Sequence, residues 1–375
     1  MKLRLKKKNA IIATVILVVI LIEFINPFEN SALNSLKELN YSKQSSKLIV
    51  EYGLKNDVLD DGYNKFVDKN IKDNDFIVAN YEIYKNLNYY EDTNSVSLVN
   101  KLIEKGYNSE SINCILGSGT IDSIKEFLER DKVDENVIKQ FLNFNFSILD
   151  NLDKYIEYRE LNVCTDDEAV VYVNLGLDRE FYTDYDNVDS FSFTMVVNKY
   201  NKLSDDFVPV DLISFPSKYC SGECEKGNKT MIDAFVTMAE ALNTETGLNI
   251  YANSAYRSFS EQEKTYNTYL DLYGEKYVYN YVSYPGFSEH QTGLCVDIKA
   301  GSKNTFAGTD ESKWLKNNAY KYGFILRYTS ANQEITGYRS EEWHYRYVGI
   351  EAAKYIKENN ITLEEYSIRY GNKGE

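Results

Sequence analysis

Only two histidines occur in this chain of 375 residues, and both stand close to carboxylates in the sequence. His290 precedes Asp297 by seven residues, and His344 follows Glu341 by three. Neutral imidazole and carboxylate oxygen are good ligands for a borderline divalent metal such as zinc. A fold that brings the two segments together therefore supplies three protein ligands, His290, Asp297 and His344, and leaves a fourth position for water.

The same residues predict a chemistry for such a site. A bound zinc ion lowers the pKa of its water to about 7, and Glu341 is close enough in sequence to accept a proton as general base. A histidine is also common as a surface residue or a satisfied core residue, and neither segment has the tight H-E-x-x-H spacing. The residues alone thus leave a purely structural interpretation open.

Ordered motifs around these residues resemble the VanY-type D-alanyl-D-alanine carboxypeptidases, which are zinc peptidases of the LAS group. The resemblance extends over about residues 195–352, a little under half of the chain. The main motifs are S-A-Y-R-S at 254–258, P-G-F-S-E-H-Q-T-G-L-C-V-D-I at 285–298, K-Y-G-F-I-L-R-Y at 321–328 and E-E-W-H-Y-R-Y-V-G at 341–349.

The resemblance implies a metal centre and a reaction. It makes His290, Asp297 and His344 the zinc ligands and Glu341 the catalytic base. The implied substrate is the stem peptide of peptidoglycan, from which a C-terminal D-alanine is removed. Relatives with the same motifs cut an L,D bond or act as dipeptidases, so the bond that is cut stays open. A non-catalytic wall-binding module, or an ectodomain whose helical half carries the function, are the alternatives from other classes.

The resemblance also implies residues that contact the substrate. Arg257 is expected to steady the scissile carbonyl or the developing oxyanion, and Ser288 and Gln262 are expected to lie in the substrate pocket. Two positions depart from the family pattern. Cys295 stands where alanine is usual, and Glu342 stands where proline is usual, which adds a second carboxylate beside the predicted base.

Strand geometry predicts how the first two ligands meet. Successive side chains of a strand point to opposite faces, so residues seven apart, such as His290 and Asp297, would face opposite sides of one regular strand. Gly293 lies between them and allows the chain to turn. We therefore expect a short buried strand over residues 294–298 that carries Asp297 to the site.

The same reasoning applies to the last ligand. Glu341 and His344 are three apart, which again conflicts with one straight strand. We expect Glu341 in a turn and His344 on the strand that follows. Trp343 and Tyr345 then point away from His344 and pack in the core.

The N-terminus predicts a membrane segment. Five basic residues before Asn9 precede an apolar run of thirteen residues, 10–22. No A-x-A cleavage site follows, so we expect residues 1–27 to be an uncleaved signal anchor, with the N-terminus inside and the rest outside the cell. A cleaved signal and a secreted protein are the alternative. The cytoplasmic membrane is thus an expected partner.

Charge and cysteine content limit the partners and the covalent framework. The formal net charge is −15, and no basic stripe is present, which argues against nucleic acid. Five cysteines exclude a complete disulfide scaffold because one thiol is left over. Cys220 and Cys224 are close enough to close a small loop in an oxidising environment. Cys295 falls in a buried strand pattern and is expected to be a small core residue.

The chain divides by pattern into regions. Residues 28–160 show helical spacing, and similar segments recur 25 residues apart, which predicts degenerate helical repeats; an ordinary helical spacer is the alternative. Residues 161–194 form a connecting segment that is strand-like, at 169–175 and at 191–197 on its C-terminal border. Residues 195–375 are the zinc carboxypeptidase domain.

The predicted fold class is α+β, because helices and short strands alternate without βαβ regularity. The resemblance implies a small antiparallel sheet with flanking helices and with the zinc at one edge. The predicted helices of this domain are 231–242, 260–273, 312–322 and 350–359, with a strand over 248–254.

Overall fold

A computed structural model describes residues 31–177, 179–223, 226–301 and 305–371. The chain forms two compact units that divide between Val170 and Val171, inside the predicted connecting segment. Within the described ranges, no helix combines the length and the apolarity that a membrane span requires. The predicted signal anchor, residues 1–27, lies outside the described residues.

The first unit is mainly helical, as predicted. Most of its helices are short, and side chains cap their N-termini: Asn108 accepts a hydrogen bond from the backbone N–H of Ser111, and Thr120 and Ser123 form a capping box. After helical residues 31–38, the helices are α1 Lys43–Glu51, α2 Lys55–Asp61, α3 Lys65–Asn70, α4 Tyr81–Tyr84, α5 Val96–Glu104, α6 Ser109–Ser118, α7 Ile121–Glu129, α8 Glu135–Leu142, α9 Leu152–Leu161 and α10 Asp166–Leu175.

Hydrogen bonds in this unit join residues at a recurring separation. Thr93 Oγ1 donates to the carbonyl of Leu116, 23 residues away, and Asn113 Nδ2 donates to the carbonyl of Asn86, 27 residues away. These separations bracket the 25-residue recurrence in the sequence. They are consistent with stacked helical repeats, which stay a prediction.

The two strands predicted at 169–175 and 191–197 were wrong; the strand that the connecting segment does contain is the short Asp186–Val188. Residues 169–175 belong to helix α10, because Thr165 and Glu168 cap its start reciprocally and three acidic residues fill its first turn. Residues 191–197 form no strand either. The carbonyls of Phe193 and Met195 accept hydrogen bonds from Arg346 Nη2 at 3.2 and 2.9 Å instead of from a neighbouring strand.

The second unit is built around a five-stranded sheet. The strands in the described part of this unit, including those outside the sheet, are β1 Asp186–Val188, β2 Asn201–Leu203, β3 Leu212–Ser214, β4 Cys220–Glu223, β5 Lys226–Asn228, β6 Ile250–Ser254, β7 Cys295–Ala300, β8 Phe324–Tyr328 and β9 Glu341–Tyr347. Five of these strands form the central sheet, in the order β4-β6-β7-β9-β8. The last four strands pair antiparallel, as predicted, and edge strand β4 pairs parallel to β6. Strands β1–β2 and β3–β5 form two separate pairs.

Helices cover the sheet and bury its apolar residues. Phe235 and Leu242 pack in one core cluster with Val296, Ile298 and Tyr345 of the sheet. The predicted helices are present, although the third, predicted at 312–322, is an α-helix only over Asp310–Asn318 and continues as a 3-10 helix over Ala319–Tyr322. The helices are α11 Lys229–Thr246, α12 Phe259–Tyr273, α13 Glu275–Tyr281, α14 Asp310–Asn318, α15 Gln333–Thr336, α16 Ile350–Asn359 and α17 Leu363–Tyr370.

The described cysteines test the predicted disulfide and the predicted core position of Cys295 only in part. Cys220 is disulfide-bonded, and its predicted partner, Cys224, lies outside the described residues. Cys114, Cys164 and Cys295 are free thiols. Cys295 is fully buried in β7, as expected of a core residue, but its sulfur also lies close to His290 and His344.

Candidate metal centre and catalytic cleft

Sheet register brings the three predicted ligands together. Asp297 on β7 lies directly opposite His344 on β9, with Oδ1 of the carboxylate 2.9 Å from Nδ1 of the imidazole. His290 approaches from a 3-10 helix that ends at Gly293, whose φ of 68° lies in the left-handed region. Its Nε2 lies 3.3 Å from Asp297 Oδ2. The expected chain reversal at Gly293 is therefore present.

Each imidazole has one ring nitrogen facing Asp297 and the other within hydrogen-bonding distance of a different oxygen atom. Nδ1 of His290 lies 2.6 Å from the carbonyl of Ala255. A carbonyl only accepts, so Nδ1 carries the proton, and in the neutral ring the lone pair is on Nε2. Nε2 of His344 lies 3.1 Å from Oε2 of Glu289, which leaves its Nδ1 lone pair facing Asp297. This is the arrangement that a divalent cation requires of two histidine ligands.

Glu289 is the residue that sequence analysis overlooked. Its carboxylate is fully buried, and Oε1 accepts hydrogen bonds from Arg327 Nε at 2.8 Å and from Arg346 Nη1 at 2.9 Å. Burial opposes the charged form, but the two guanidinium groups outweigh it and lower the pKa of Glu289. Arg327 is paired in turn with Glu364. A fixed anion thus orients His344.

Negative charge surrounds the two imidazoles. Burial disfavours the protonated form of His290, but the charges of Cys295 and Asp297 prevail and raise its pKa to about 9. The pKa of His344 is also raised, against burial, by Cys295 and Asp297. Burial raises and the two imidazoles lower the pKa of Asp297, and the net shift is downward. The cluster stabilises positive charge at its centre, which a bound cation supplies.

Cys295 contributes a fourth donor atom to this cluster. Its sulfur and one ring nitrogen each of His290 and His344 all lie within 4.8 Å of one another. Burial raises the pKa of the thiol, but the two imidazoles outweigh it and bring the value to about 7. Nitrogen, carboxylate and sulfur donors together suit zinc. The residues therefore fit the metal that the family resemblance implies.

Glu341 lies beside the ligands, but not in the predicted turn. It is the first residue of β9, with Oε2 4.0 Å from Nδ1 of His344. The prediction failed because the β8–β9 pairing is irregular: Leu326 pairs with Tyr345, whereas Tyr328, two residues on, pairs with Glu341. The extra β9 residues bring Glu341 and His344 to the same side despite their spacing. Burial raises the pKa of Glu341 to about 7.

The neighbouring positions point elsewhere. Glu342 forms an ion pair with Lys316 at 3.0 Å and is one-third exposed. Trp343 is 40% exposed and lines the cleft beside the ligands, so the prediction that it packs in the core was wrong. Tyr345 is fully buried, as predicted. Of the two adjacent carboxylates, only Glu341 lies among the site residues.

Arg257 is held rigidly at the rim of the cleft. Its Nη1 donates to Gln262 Oε1 at 2.7 Å and its Nη2 donates to Ser254 Oγ at 3.0 Å. Gln262 is buried and donates through Nε2 to the carbonyl of Ser283 at 2.7 Å. Gln262 therefore positions Arg257 as well as lining the pocket.

The cleft itself has a volume of about 290 Å³, and its lining includes Arg257, Gln262, Ser288 and Glu341 with the three predicted ligands. Ser288 caps the 3-10 helix of His290, whose backbone N–H donates to the serine Oγ at 3.3 Å. One cleft therefore contains side chains that could bind a metal ion, a carboxylate with a raised pKa and an arginine in a fixed position. These are the components of a hydrolase that activates water.

Comparison with known proteins gives the family. Residues 225–350 match the VanY family model, described as D-alanyl-D-alanine carboxypeptidase. The chain is 40% identical over 208 residues to the putative carboxypeptidase YodJ of Bacillus subtilis, which covers 51% of this chain and 75% of that protein. It is 36% identical to the bifunctional D-Ala-D-Ala dipeptidase and D-Ala-D-Ala carboxypeptidase VanXYC of Enterococcus gallinarum, over 34% of this chain and 72% of that protein. The chain belongs to the VanY family.

A solved structure of the LdcB LD-carboxypeptidase is also similar. It is 36% identical in sequence, with a TM-score of 0.44, and the match covers 50% of this chain and 91% of that one.

Proposed function

We propose that this protein is a zinc-dependent carboxypeptidase that removes the C-terminal D-alanine from peptidoglycan stem peptides. One observation carries the proposal: His290, Asp297 and His344 converge in the cleft that Glu341 also lines, with Oε2 of Glu341 4.0 Å from Nδ1 of His344. Membership of the VanY family supports the substrate class.

The three ligands would hold the metal, and the metal when bound would supply a Lewis acid that lowers the pKa of water. Glu341 then accepts the proton of the attacking water as a general base. Its raised pKa suits this exchange because a base is most effective when its pKa lies near the working pH. Glu289 keeps His344 in the required tautomer throughout.

Arg257 and Glu341 complete the reaction. The guanidinium of Arg257, fixed by Gln262 and Ser254, donates to the oxygen on which negative charge develops as the carbonyl is attacked. Glu341 returns its proton to the leaving amine, which departs as free D-alanine. Ser288 lines the cleft and is buried there, and in this proposal it contacts the bound peptide.

A peptide panel tests the bond that is cut. Purified protein is incubated with a pentapeptide ending in D-Ala-D-Ala, a tetrapeptide ending in an L,D bond, and the dipeptide D-Ala-D-Ala. We expect the fastest release of D-alanine from the pentapeptide, and release about 10²- to 10⁴-fold slower with Glu341→Gln. Faster cleavage of the tetrapeptide or of the dipeptide would assign the chain to the L,D-carboxypeptidase or D,D-dipeptidase alternative.

The non-catalytic alternative is not favoured. A wall-binding module has no need of a buried carboxylate with a raised pKa beside a cation-binding cluster, and here Glu341 and all three ligands are present.

We also propose that the second unit acts outside the cell, anchored through residues 1–27. The basic residues before the apolar run support this topology.

A further inference from the structure

Four tyrosines pack against one another beside the catalytic cleft. Tyr269 and Tyr273 lie on α12, and Tyr277 and Tyr281 lie on α13, so that the residues recur at every fourth position across the junction at Gly274. Successive ring centroids are 5.8, 4.6 and 4.9 Å apart. We call these four residues the tyrosine ladder.

The tyrosine ladder faces outward. Tyr269 is 38% exposed, Tyr273 58% and Tyr281 38%. The rings of Tyr269 and Tyr277 lie 6.0 Å apart and are parallel to within 2°, so Tyr269, Tyr273 and Tyr277 form one mutually packed group with exposed aromatic surface. Exposed aromatic surface of this extent is a feature of ligand-binding grooves. Contacts among the four rings help to hold the two helices together, but those contacts do not require the rings to be exposed to solvent.

The tyrosine ladder is continuous with the cleft. Tyr269, Tyr277 and Tyr281 line the same cleft as His290 and Glu341, and Tyr273, which is not part of this lining, packs against Tyr269 and Tyr277. A volume of about 290 Å³ lies at the small end of ligand pockets. The cleft therefore encloses only the end of a peptide, and the rest of a polymeric substrate must lie on the adjoining surface.

We propose that the tyrosine ladder is a carbohydrate subsite that binds the hexopyranose rings of the glycan strand to which the stem peptide is attached. A pyranose ring presents a face of C–H groups that stacks on an aromatic ring, while its hydroxyl and amide groups remain in water. Neutral tyrosines meet a sugar without adding charge, and the phenol hydroxyls offer hydrogen bonds at the edge. The proposal rests on the proposed function, because that function supplies a peptide joined to a glycan.

The direct test is a binding measurement on the full chain with soluble, peptide-free glycan strands of alternating N-acetylglucosamine and N-acetylmuramic acid. Tyr273→Leu keeps apolar volume and helix propensity but removes the flat ring, and we expect roughly 3- to 10-fold weaker binding, as for the loss of one stacking contact. Tyr273→Phe keeps the ring and should bind nearly as well as the wild type. Leu272→Ala is the matched control, because Leu272 is adjacent on α12 and 66% exposed.

Several outcomes would overturn the subsite. They are the absence of glycan binding by the wild type, equal binding by Tyr273→Leu, and an equal loss in Leu272→Ala. A change of oligomeric state in Tyr273→Leu, seen by sedimentation, would assign the ladder to contact between copies of the chain instead. Hydrolysis of a sugar-free pentapeptide by the same samples reports on the proposed function separately, so that the two failures are distinguishable.

Discussion

Nε2 of His344 lies 3.1 Å from Oε2 of Glu289, a carboxylate that no solvent reaches. This contact fixes which nitrogen of His344 faces the metal-binding cluster. The other oxygen of Glu289 is held by Arg327 and Arg346, so that the orientation of one ligand depends on a charge network inside the sheet. The metal centre and the core of this unit are therefore coupled.

Replacing Glu289 tests that coupling. Glu289→Gln removes the anion that orients His344 and leaves Arg327 and Arg346 short of a buried partner. We expect zinc affinity to fall about 10- to 100-fold and the free energy of unfolding to fall by about 3–5 kcal/mol. Chelator competition and denaturant titration measure the two effects. Glu365→Gln, at a buried helix cap, is the control, and wild-type zinc affinity in Glu289→Gln would contradict the assigned role.

The adjacent carboxylates Glu341 and Glu342 give a second prediction. Glu341→Gln should bind zinc normally and lower kcat by about 10²- to 10⁴-fold, the usual cost of losing a general base. Glu342→Gln should be close to wild type, because Glu342 is paired with Lys316 on the protein surface. Steady-state kinetics on the pentapeptide compares the two variants. The reverse ranking would show that the base had been assigned to the wrong carboxylate.

The pH dependence of catalysis follows from the same carboxylate. Burial raises the pKa of Glu341 to about 7 in the metal-free site, and a bound cation brings it down. The base acts only when deprotonated, so kcat/KM should decrease as the pH falls through a value at or below about 7. A pH profile of kcat/KM for the wild type measures this limb. Activity that is constant well below the ordinary pKa of a carboxyl group would argue against Glu341 as the base.

The sequence was sufficient for part of this site and not for the rest. His290, Asp297 and His344 were predicted because the chain has no other histidines and the surrounding motifs are specific. Helix α16 was predicted with its observed bounds, 350–359, because apolar periodicity and a helix-ending segment agree there. Local patterns of this kind are contained within a few neighbouring residues.

Two of the errors came from contacts between distant segments. Glu289 stands next to His290 in the sequence, but its role depends on Arg327 and Arg346, which only the sheet brings to it. The position of Glu341 on β9 depends on an irregular pairing with β8, which periodicity does not reveal. Residues 169–175 had a strand-like composition, but the capping pair of Thr165 and Glu168 favoured a helix; that signal was readable in the sequence.

Topology gives a further prediction. If residues 1–27 anchor the chain with its N-terminus inside, protease added to intact cells should remove the second unit, and the loss should be visible with an antibody against it. A cytoplasmic protein on the same blot is the control. Protection equal to that control would rule out the proposed location, whereas recovery of the unit in the culture medium would indicate a cleaved signal.

The central claim, that two histidines and an aspartate hold a catalytic zinc, is tested most directly by measuring metal content and D-alanine release on the same samples. We expect one zinc per wild-type chain, loss of activity on chelation, and recovery in proportion to the zinc that is added back. The double variant His290→Ala with His344→Ala should hold no zinc and release no D-alanine. Stoichiometric zinc in the double variant, or full activity of the metal-free wild type, would contradict the account.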